Sequence, residues 1–524
     1  MRILLTAIFV AAPGLAATCE SLASAKLAGA GIQSAEVVAA GAFPAPKVEL
    51  PGGAPANFKT LPAFCRVQGV LQPSSDSHIE FEVWLPTSGW NGRYLGLGNG
   101  GFAGAIDYGG LAGALAKGYA VSDSDTGHKA GGTDARWALG HPEKVADFGY
   151  RAVHETAEKA KSLIATFYGN QPRRSYFNSC SDGGREALME AQRFPADYDG
   201  IVAGAPANDW TRLLANAAEE TRMLADPARH IPPSKLPAIE AASLAACDAQ
   251  DGVKDGVIND PSRCKFDPSV LLCKGAETDS CLTAPQLSSL ERLYTGAKDP
   301  AGKAIFPGRP PGAEGGPGAW SLWVTGQKEQ PSLMYSFATQ YFANMVFEDA
   351  AWDFRTFQMD RALKVAEDKT ARALNAADPD LKRFESRGGK LIIYHGWNDP
   401  AISALNSVNY FRSVQGKLGA RQTDSFFRLY LAPGVTHCGG GPGPDVFGQV
   451  VSQADDPDHS VSKALEHWVE DGVTPSRIIA TKYTAGPTPS VVRTRPLCPY
   501  PQVASYKGSG NSDDAASFTC AEPK

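Results

Sequence analysis

Two of the ten cysteines stand beside the residues best suited to nucleophilic chemistry, and that pairing restricts the fold. Cys180 precedes Ser181 in Asn178-Ser179-Cys180-Ser181-Asp182-Gly183-Gly184. Cys438 follows His437 in Gly434-Val435-Thr436-His437-Cys438-Gly439. A bond between these two cysteines would staple a nucleophile to its base through the backbone, closing a loop of 438 − 180 = 258 residues. Any fold that accepts the link must bring an early strand end and a late loop to one place.

The segments around these motifs alternate between strand-like and helix-like, which favours an α/β sheet. Residues 93–97 form a short apolar run leading into Gly98-Asn99-Gly100-Gly101, and 118–121 form another. Apolar residues recur at helical spacing over 150–168, and Gly169 supplies a stop. Residues 175–177 read as a strand entering Ser181, 184–194 as a helix leaving it, and 201–204 as the next strand. From 208 to about 387 this rhythm breaks, and 390–394 and 426–431 resume it. The expected architecture is an α/β-hydrolase core over 18–208 and 388–524, interrupted by a lid domain over 209–387. The Gly/Pro-rich stretch 307–318 reads as a surface loop.

Strand, small-residue turn and helix make the context of a nucleophile elbow, whose strained backbone needs small neighbours. Ser181 is the expected nucleophile, and Ser179 stands where the usual pattern has glycine. Asp399 follows the strand at 390–394, and His437 follows the one at 426–431. The order Ser181, Asp399, His437 is that of α/β-hydrolases, not of chymotrypsin-like or subtilisin-like proteases. His437 would take the serine proton, and Asp399 would orient the imidazole. Oxyanion donors are expected from the amide of Asp182 and from Gly100 or Gly101. A plainer reading makes these residues a Gly-rich turn, a turn aspartate before Pro400 and a loop histidine.

Residues 1–17 read as a signal peptide, with Arg2, an apolar run over 3–10 and small residues through Ala17. Secretion or periplasmic export follows, and an even cysteine count in an oxidising compartment favours disulfides. Spacing suggests Cys247–Cys264, Cys273–Cys281 and Cys498–Cys520; once Cys180 and Cys438 are paired, Cys19 is left for Cys65. A net charge of −6 with no basic run gives no footprint for nucleic acid. After the leader no apolar stretch is long enough to cross a membrane.

Residues 247–260 are dense in hard oxygen ligands. Asp248, Asp251 and Asp255, with the carbonyls of Val253 and Val257, suit a structural Ca2+, although the spacing is not that of an EF-hand. A solvated acidic turn is the other reading. The chemistry itself needs no cofactor.

With these motifs assembled, the chain resembles the tannase and feruloyl esterase family, which includes hydrolases of mono(2-hydroxyethyl) terephthalate. The resemblance is carried by Gly98-Asn99-Gly100-Gly101-Phe102-Ala103-Gly104, Asp125-Thr126-Gly127-His128, Cys180-Ser181-Asp182-Gly183-Gly184-Arg185 and the 247–260 loop. It continues through Val346-Phe347-Glu348-Asp349, Trp352-Asp353-Phe354-Arg355-Thr356-Phe357, His395-Gly396-Trp397-Asn398-Asp399, His437-Cys438-Gly439-Gly440 and Pro496-Leu497-Cys498-Pro499-Tyr500-Pro501. It implies a serine carboxylic ester hydrolase working through an acyl-enzyme on a small aromatic ester, free or attached to plant polysaccharide. Feruloyl esters lead, with galloyl esters or terephthalate monoesters as alternatives; an acyltransferase or a non-catalytic binding protein lies outside that class. It also implies that the cysteines beside Ser181 and His437 pair and that the acidic lid loop binds calcium. Segment 331–352 carries Tyr335, Phe337, Tyr341 and Phe342 but no Arg or Lys, which favours an uncharged substrate ring; the same aromatics equally suit lid core. Trp397 reads as packing.

Overall fold

The computed structural model describes residues 17–44, 57–299, 301–327, 330–449, 454–486 and 488–523. The expected leader, 1–17, lies outside these residues except for Ala17. Nine strands form the central sheet: β1 (Ala30–Val38), β2 (Phe64–Leu71), β3 (Ile79–Pro86), β4 (Arg93–Gly96), β5 (Ala120–Ser124), β6 (Arg174–Cys180), β7 (Gly200–Gly204), β8 (Lys390–Gly396) and β9 (Phe427–Ala432). Their spatial order is β1-β2-β3-β5-β4-β6-β7-β8-β9. The chain therefore folds as an α/β-hydrolase core.

β1, β2, β3 and β5 run antiparallel in turn, and every pair from β5 to β9 is parallel. Parallel strands need crossovers, which place helices on both faces of the sheet. The two-residue period of a strand then divides its side chains between two cores. Phe177, Ile201, Ala203, Leu391, Ile393 and Leu429 pack with Ala157, Ala160, Leu163 and Ile164 of helix Ala152–Tyr168. Their neighbours Tyr176, Val202, Ile392, Tyr394 and Tyr430 pack on the other side with Leu111, Leu115, Leu465 and Trp468. Helix Ala152–Tyr168 buries positions three and four apart and stops at Gly169, whose φ of 75° is the left-handed geometry of a helix end. Truncating one of these buried leucines to alanine would destabilise by about 2–5 kcal/mol.

Strand order reverses between β5 and β4, and ligands in such sheets gather outside the carboxyl ends of the parallel strands. Those ends, after β4, β6, β8 and β9, carry Gly100, Ser181, Asp399 and His437 respectively. The antiparallel margin β1–β3 was not anticipated from the sequence.

The long segment between β7 and β8 holds helices Trp210–Leu224, Leu236–Cys247, Ala284–Thr295, Leu333–Tyr341 and Met359–Leu374. Part of it packs on itself, through Leu236, Ile239, Leu290, Leu293 and Trp320. The rest shares a hydrophobic cluster with the sheet side, where Phe102 and Phe148 meet Trp210, Tyr341 and Phe342. Residues 308–314 are buried, not a surface loop as their composition suggested. Arg309 pairs with Glu220 at 2.8 Å, the Pro311 carbonyl accepts from Asn398 Nδ2 at 2.9 Å, and Glu314 Oε1 accepts from the Tyr294 hydroxyl at 2.7 Å, while Glu314 Oε2 has no partner among the described residues. Glycine and proline here serve close packing against the loop that carries Asp399.

All ten cysteines are bonded, as Cys19–Cys65, Cys180–Cys438, Cys247–Cys264, Cys273–Cys281 and Cys498–Cys520. Among the described residues no helix is long and apolar enough to cross a membrane.

Candidate active site

Ser181 sits between β6 and helix Asp182–Arg193 with φ 68° and ψ −120°, a conformation an L-residue adopts only under constraint. The surroundings supply that constraint. A Cβ on Gly183 would lie 1.9 Å from Ser179 Oγ, and one on Gly184 would lie 2.2 Å from the Gly204 carbonyl oxygen. The Ser181 amide donates to the Gly204 carbonyl at 2.9 Å. Ser179, where glycine is usual, fills the space that Gly183 leaves.

His437 Nε2 lies 2.8 Å from Ser181 Oγ, and His437 Nδ1 lies 2.8 Å from Asp399 Oδ2. The Cys180–Cys438 bond holds the flanking α-carbons 6.0 Å apart. Asp399 is fully buried, and its Oδ1 accepts from the amides of Ala401 and Ile402 at 2.8 and 2.9 Å. His395 Nε2 lies 2.9 Å from the Ile402 carbonyl oxygen and 3.2 Å from Asp399 Oδ2, a neighbour to which the sequence reading gave no role because no spacing rule singles it out. Burial pushes the Asp399 carboxyl up, but the His437 charge and hydrogen bonds from His395 and His437 outweigh it. The carboxyl is held well below the usual carboxylate range. An ionised Asp399 is what a charged His437 requires.

The loop after β4 is fastened to the elbow, with the Asn99 carbonyl accepting from the Gly183 amide at 2.7 Å. A Cβ on Gly100 would meet nothing within 4 Å, so this position opens into free space. Gly101 has φ 62°, and a Cβ there would lie 2.9 Å from the Phe337 ring. The Asp182 side chain points away, bound to Arg185 Nε at 2.6 Å, leaving its amide as the group at the elbow. His128 braces the same loop, its Nε2 2.8 Å from the Phe102 carbonyl and its ring stacked on Trp137 at 3.7 Å.

Two rings from the inserted segment complete the surroundings. Trp323 meets the His437 ring edge-on at 4.7 Å, and Phe337 lies 6.3 Å from Trp323 with the planes 10° apart. Of the four aromatics noted in 331–352, Tyr341 and Phe342 are buried in the shared cluster and Tyr335 packs on Phe354. Phe337 alone of these approaches the site. Trp323, in the one-turn helix Trp320–Trp323, carries no motif that could have revealed it. Trp397 is core.

The family model for tannase and feruloyl esterase matches residues 65–521. The chain belongs to this family. It is 43% identical to an uncharacterized esterase of Xanthomonas campestris pv. campestris, over 97% of this chain and 91% of that one. It is 32% identical to a protein of Aspergillus terreus named a probable feruloyl esterase B-2, over 87% of this chain and 86% of the relative. The crystal structure of feruloyl esterase B from Aspergillus oryzae superposes with a TM-score of 0.86 at 30% identity, covering 96% of this chain and 99% of that one. Tannin acyl hydrolase from Aspergillus niger shares the fold, with a TM-score of 0.74 at 23% identity and coverage of 95% and 93%. This member of the family is a carboxylic ester hydrolase.

The acidic loop of this tannase-family chain lies beside the C-terminal hairpins and borders the segment around Pro433, Gly434 and Pro444 that carries His437. Asp248 accepts from the amides of Asp255 and Gly256, and Asp251 from that of Val253. Asp255 accepts from the Val257 amide and meets Arg495 at 2.6 Å. Burial first, then the neighbouring Asp255 and Asp248 charges, push the Asp251 carboxyl up to about 6. This all-oxygen donor set suits a hard cation. The three carboxylates are not gathered within coordinating reach of one another, so holding an ion would draw the loop together.

Proposed function

We propose that this esterase hydrolyses esters of phenolic acids, with feruloyl (hydroxycinnamoyl) esters ahead of galloyl ones, through Ser181, His437 and Asp399. The observation that carries the reading is the ring pair of Trp323 and Phe337 beside His437 and Gly101, which suits a flat acyl group. The buried arginine of the inserted segment, Arg309, is already paired with Glu220, so it offers nothing to a free carboxylate. The names of the Aspergillus relatives support the same acyl class.

In this reading Ser181 Oγ attacks the ester carbonyl while His437 Nε2 takes the hydroxyl proton, and Asp399 balances the imidazolium. The amides of Asp182 and of Gly100 or Gly101 receive the developing oxyanion. His437 then protonates the departing alcohol, and water activated by His437 releases the acid from the acyl-enzyme. The strained elbow and the Cys180–Cys438 bond keep Ser181 and His437 in register. Calcium would be held by Asp248, Asp251 and Asp255 with the Val253 and Val257 carbonyls. It would supply positive charge to the lid loop and take no part in a step. Export from the cell fits the five disulfides.

Methyl ferulate, methyl gallate and a terephthalate monoester, assayed side by side with Ser181→Ala as control, test the reading. Ferulate should turn over fastest, and Ser181→Ala should lose roughly 10⁴-fold or more in kcat with an unchanged melting temperature. Preference for the charged terephthalate, or a Ser181→Ala variant that still turns over, would overturn it.

A further inference from the structure

Away from Ser181, one group of side chains has no role in ester hydrolysis. His154 on helix Ala152–Tyr168, Glu190 on helix Asp182–Arg193 and Asp197 in the following turn bring one imidazole nitrogen and two carboxylate oxygens within 4.8 Å of one another. His154 is held in place, its Nδ1 2.6 Å from Asp197 Oδ2 and its ring stacked on Phe194 with centroids 3.7 Å apart. Glu190 is 1% exposed, and neither of its carboxylate oxygens has a hydrogen-bond partner among the described residues. A buried carboxylate with no donor, facing a second carboxylate, must take up a proton or have something positive between the two. Lys161 Nζ lies 3.5 Å from Asp197 Oδ1, and its charge offsets only part of the burial and carboxylate repulsion acting on Glu190.

We propose that His154, Glu190 and Asp197 form a binding site for a divalent transition-metal ion of the zinc class. One imidazole and two carboxylates are the ligands of zinc and its neighbours, whereas calcium and magnesium take oxygen donors. The group borders a surface cavity of about 410 Å³ lined by His154, Asp197 and Arg193 among others, which gives an ion and its remaining water a way in. Binding at Nδ1 displaces the proton of the His154–Asp197 hydrogen bond, so uptake releases a proton and weakens in acid. The ion would tie helix Ala152–Tyr168 to the helix that leaves Ser181. Glu190 is 190 − 181 = 9 residues along that helix, about 13 Å at the helical rise, so the site stands clear of Ser181 and of substrate.

The test is a Co2+ and Zn2+ titration of the intact protein in saturating calcium, which fills oxygen-only sites. It is read by calorimetry and by the visible absorption of bound cobalt. The wild type should take up a single equivalent with a cobalt spectrum of nitrogen and oxygen ligation. His154→Ala and Glu190→Gln should each weaken uptake by roughly tenfold or more while esterase activity stays intact, the latter serving as the folding control. Should Glu190→Gln fail to fold, His154→Ala carries the comparison alone. No uptake by the wild type would mean that Glu190 and Asp197 share a proton instead, and undiminished uptake by His154→Ala would place the ion elsewhere; either result overturns the site.

Discussion

Asp399 and Asp251 are both aspartates on turns, yet their surroundings push them in opposite directions. Asp399 is the more deeply buried, but two backbone amides, His437 and His395 surround it with donors, and its carboxyl is held low. Asp251 accepts from the Val253 amide, faces two other carboxylates, and is pushed up to about 6. Burial alone therefore does not decide the state of a carboxylate. The first region is complete as folded, whereas in the second Arg493 and Arg495 pair with Asp255 and leave the Asp251 carboxyl raised.

Neutralising each aspartate sharpens the contrast. Asp399→Asn should lower kcat by roughly 10⁴-fold, because an amide offers His437 the wrong tautomer and leaves its charge unbalanced. The measurement is steady-state turnover of methyl ferulate, and a loss of tenfold or less would remove Asp399 from the mechanism. Stability should fall as well, since a depressed carboxylate stabilises the fold above its unfolded value near 4 and loses that contribution as pH drops toward the lower native one.

The covalent staple belongs to the complete region. In the chain-entropy model, a bond separated by 258 residues stabilises by up to about 5 kcal/mol. Its effect on activity should come first. In a reductant titration, turnover should fall before circular dichroism changes, as His437 drifts from Ser181. Parallel loss of both signals would show that the bond serves stability alone.

For the acidic loop the expected sign depends on calcium. In chelator, Asp251→Asn should raise the melting temperature by removing a repelled charge. With calcium at a hundredfold excess over its dissociation constant, wild type should gain about 2.7 kcal/mol that the variant lacks. Melting curves of both proteins in chelator and in calcium measure this. A wild-type melting temperature that ignores calcium would return the loop to a plain acidic turn.

The two regions also differ in how much of them could be read in advance. The order of Ser181, Asp399 and His437, the strands that precede them and the pairs Cys247–Cys264, Cys273–Cys281 and Cys498–Cys520 follow from local pattern, whereas Cys180–Cys438 follows from the positions of its cysteines beside Ser181 and His437, and Cys19–Cys65 from what then remains. His395, Trp323 and the antiparallel margin could not be read that way. His395 reaches Asp399 through a turn, and Trp323 reaches His437 across the whole inserted segment. Strands β1 to β3, of nine, eight and eight residues, are mixed in polarity, with Arg66 and Gln68 both donating to the buried Glu82, so their period is blurred. The buried 308–314 stretch misled because Gly and Pro mark both turns and close backbone packing.

A smaller effect separates the loop after β4 from Ser181, Asp399 and His437. His128 is buried under Trp137 with Nε2 on the Phe102 carbonyl, and its Nδ1 has no partner among the described residues. Burial lowers its pKa to about 4, below the 6.5 of a free histidine. Between those values the unfolded chain holds a proton that the folded one refuses, so stability should decline as pH falls from 6.5 to 4. The slope is about 1.4 kcal/mol per pH unit at most. His128→Gln keeps a donor for the Phe102 carbonyl and does not titrate, so its stability should stay flatter than wild type across that window. Denaturant midpoints of the two proteins at several pH values decide it. Identical pH profiles would mean that His128 is protonated in the fold, and that the loop bearing Gly100 and Gly101 is held by something other than a neutral imidazole.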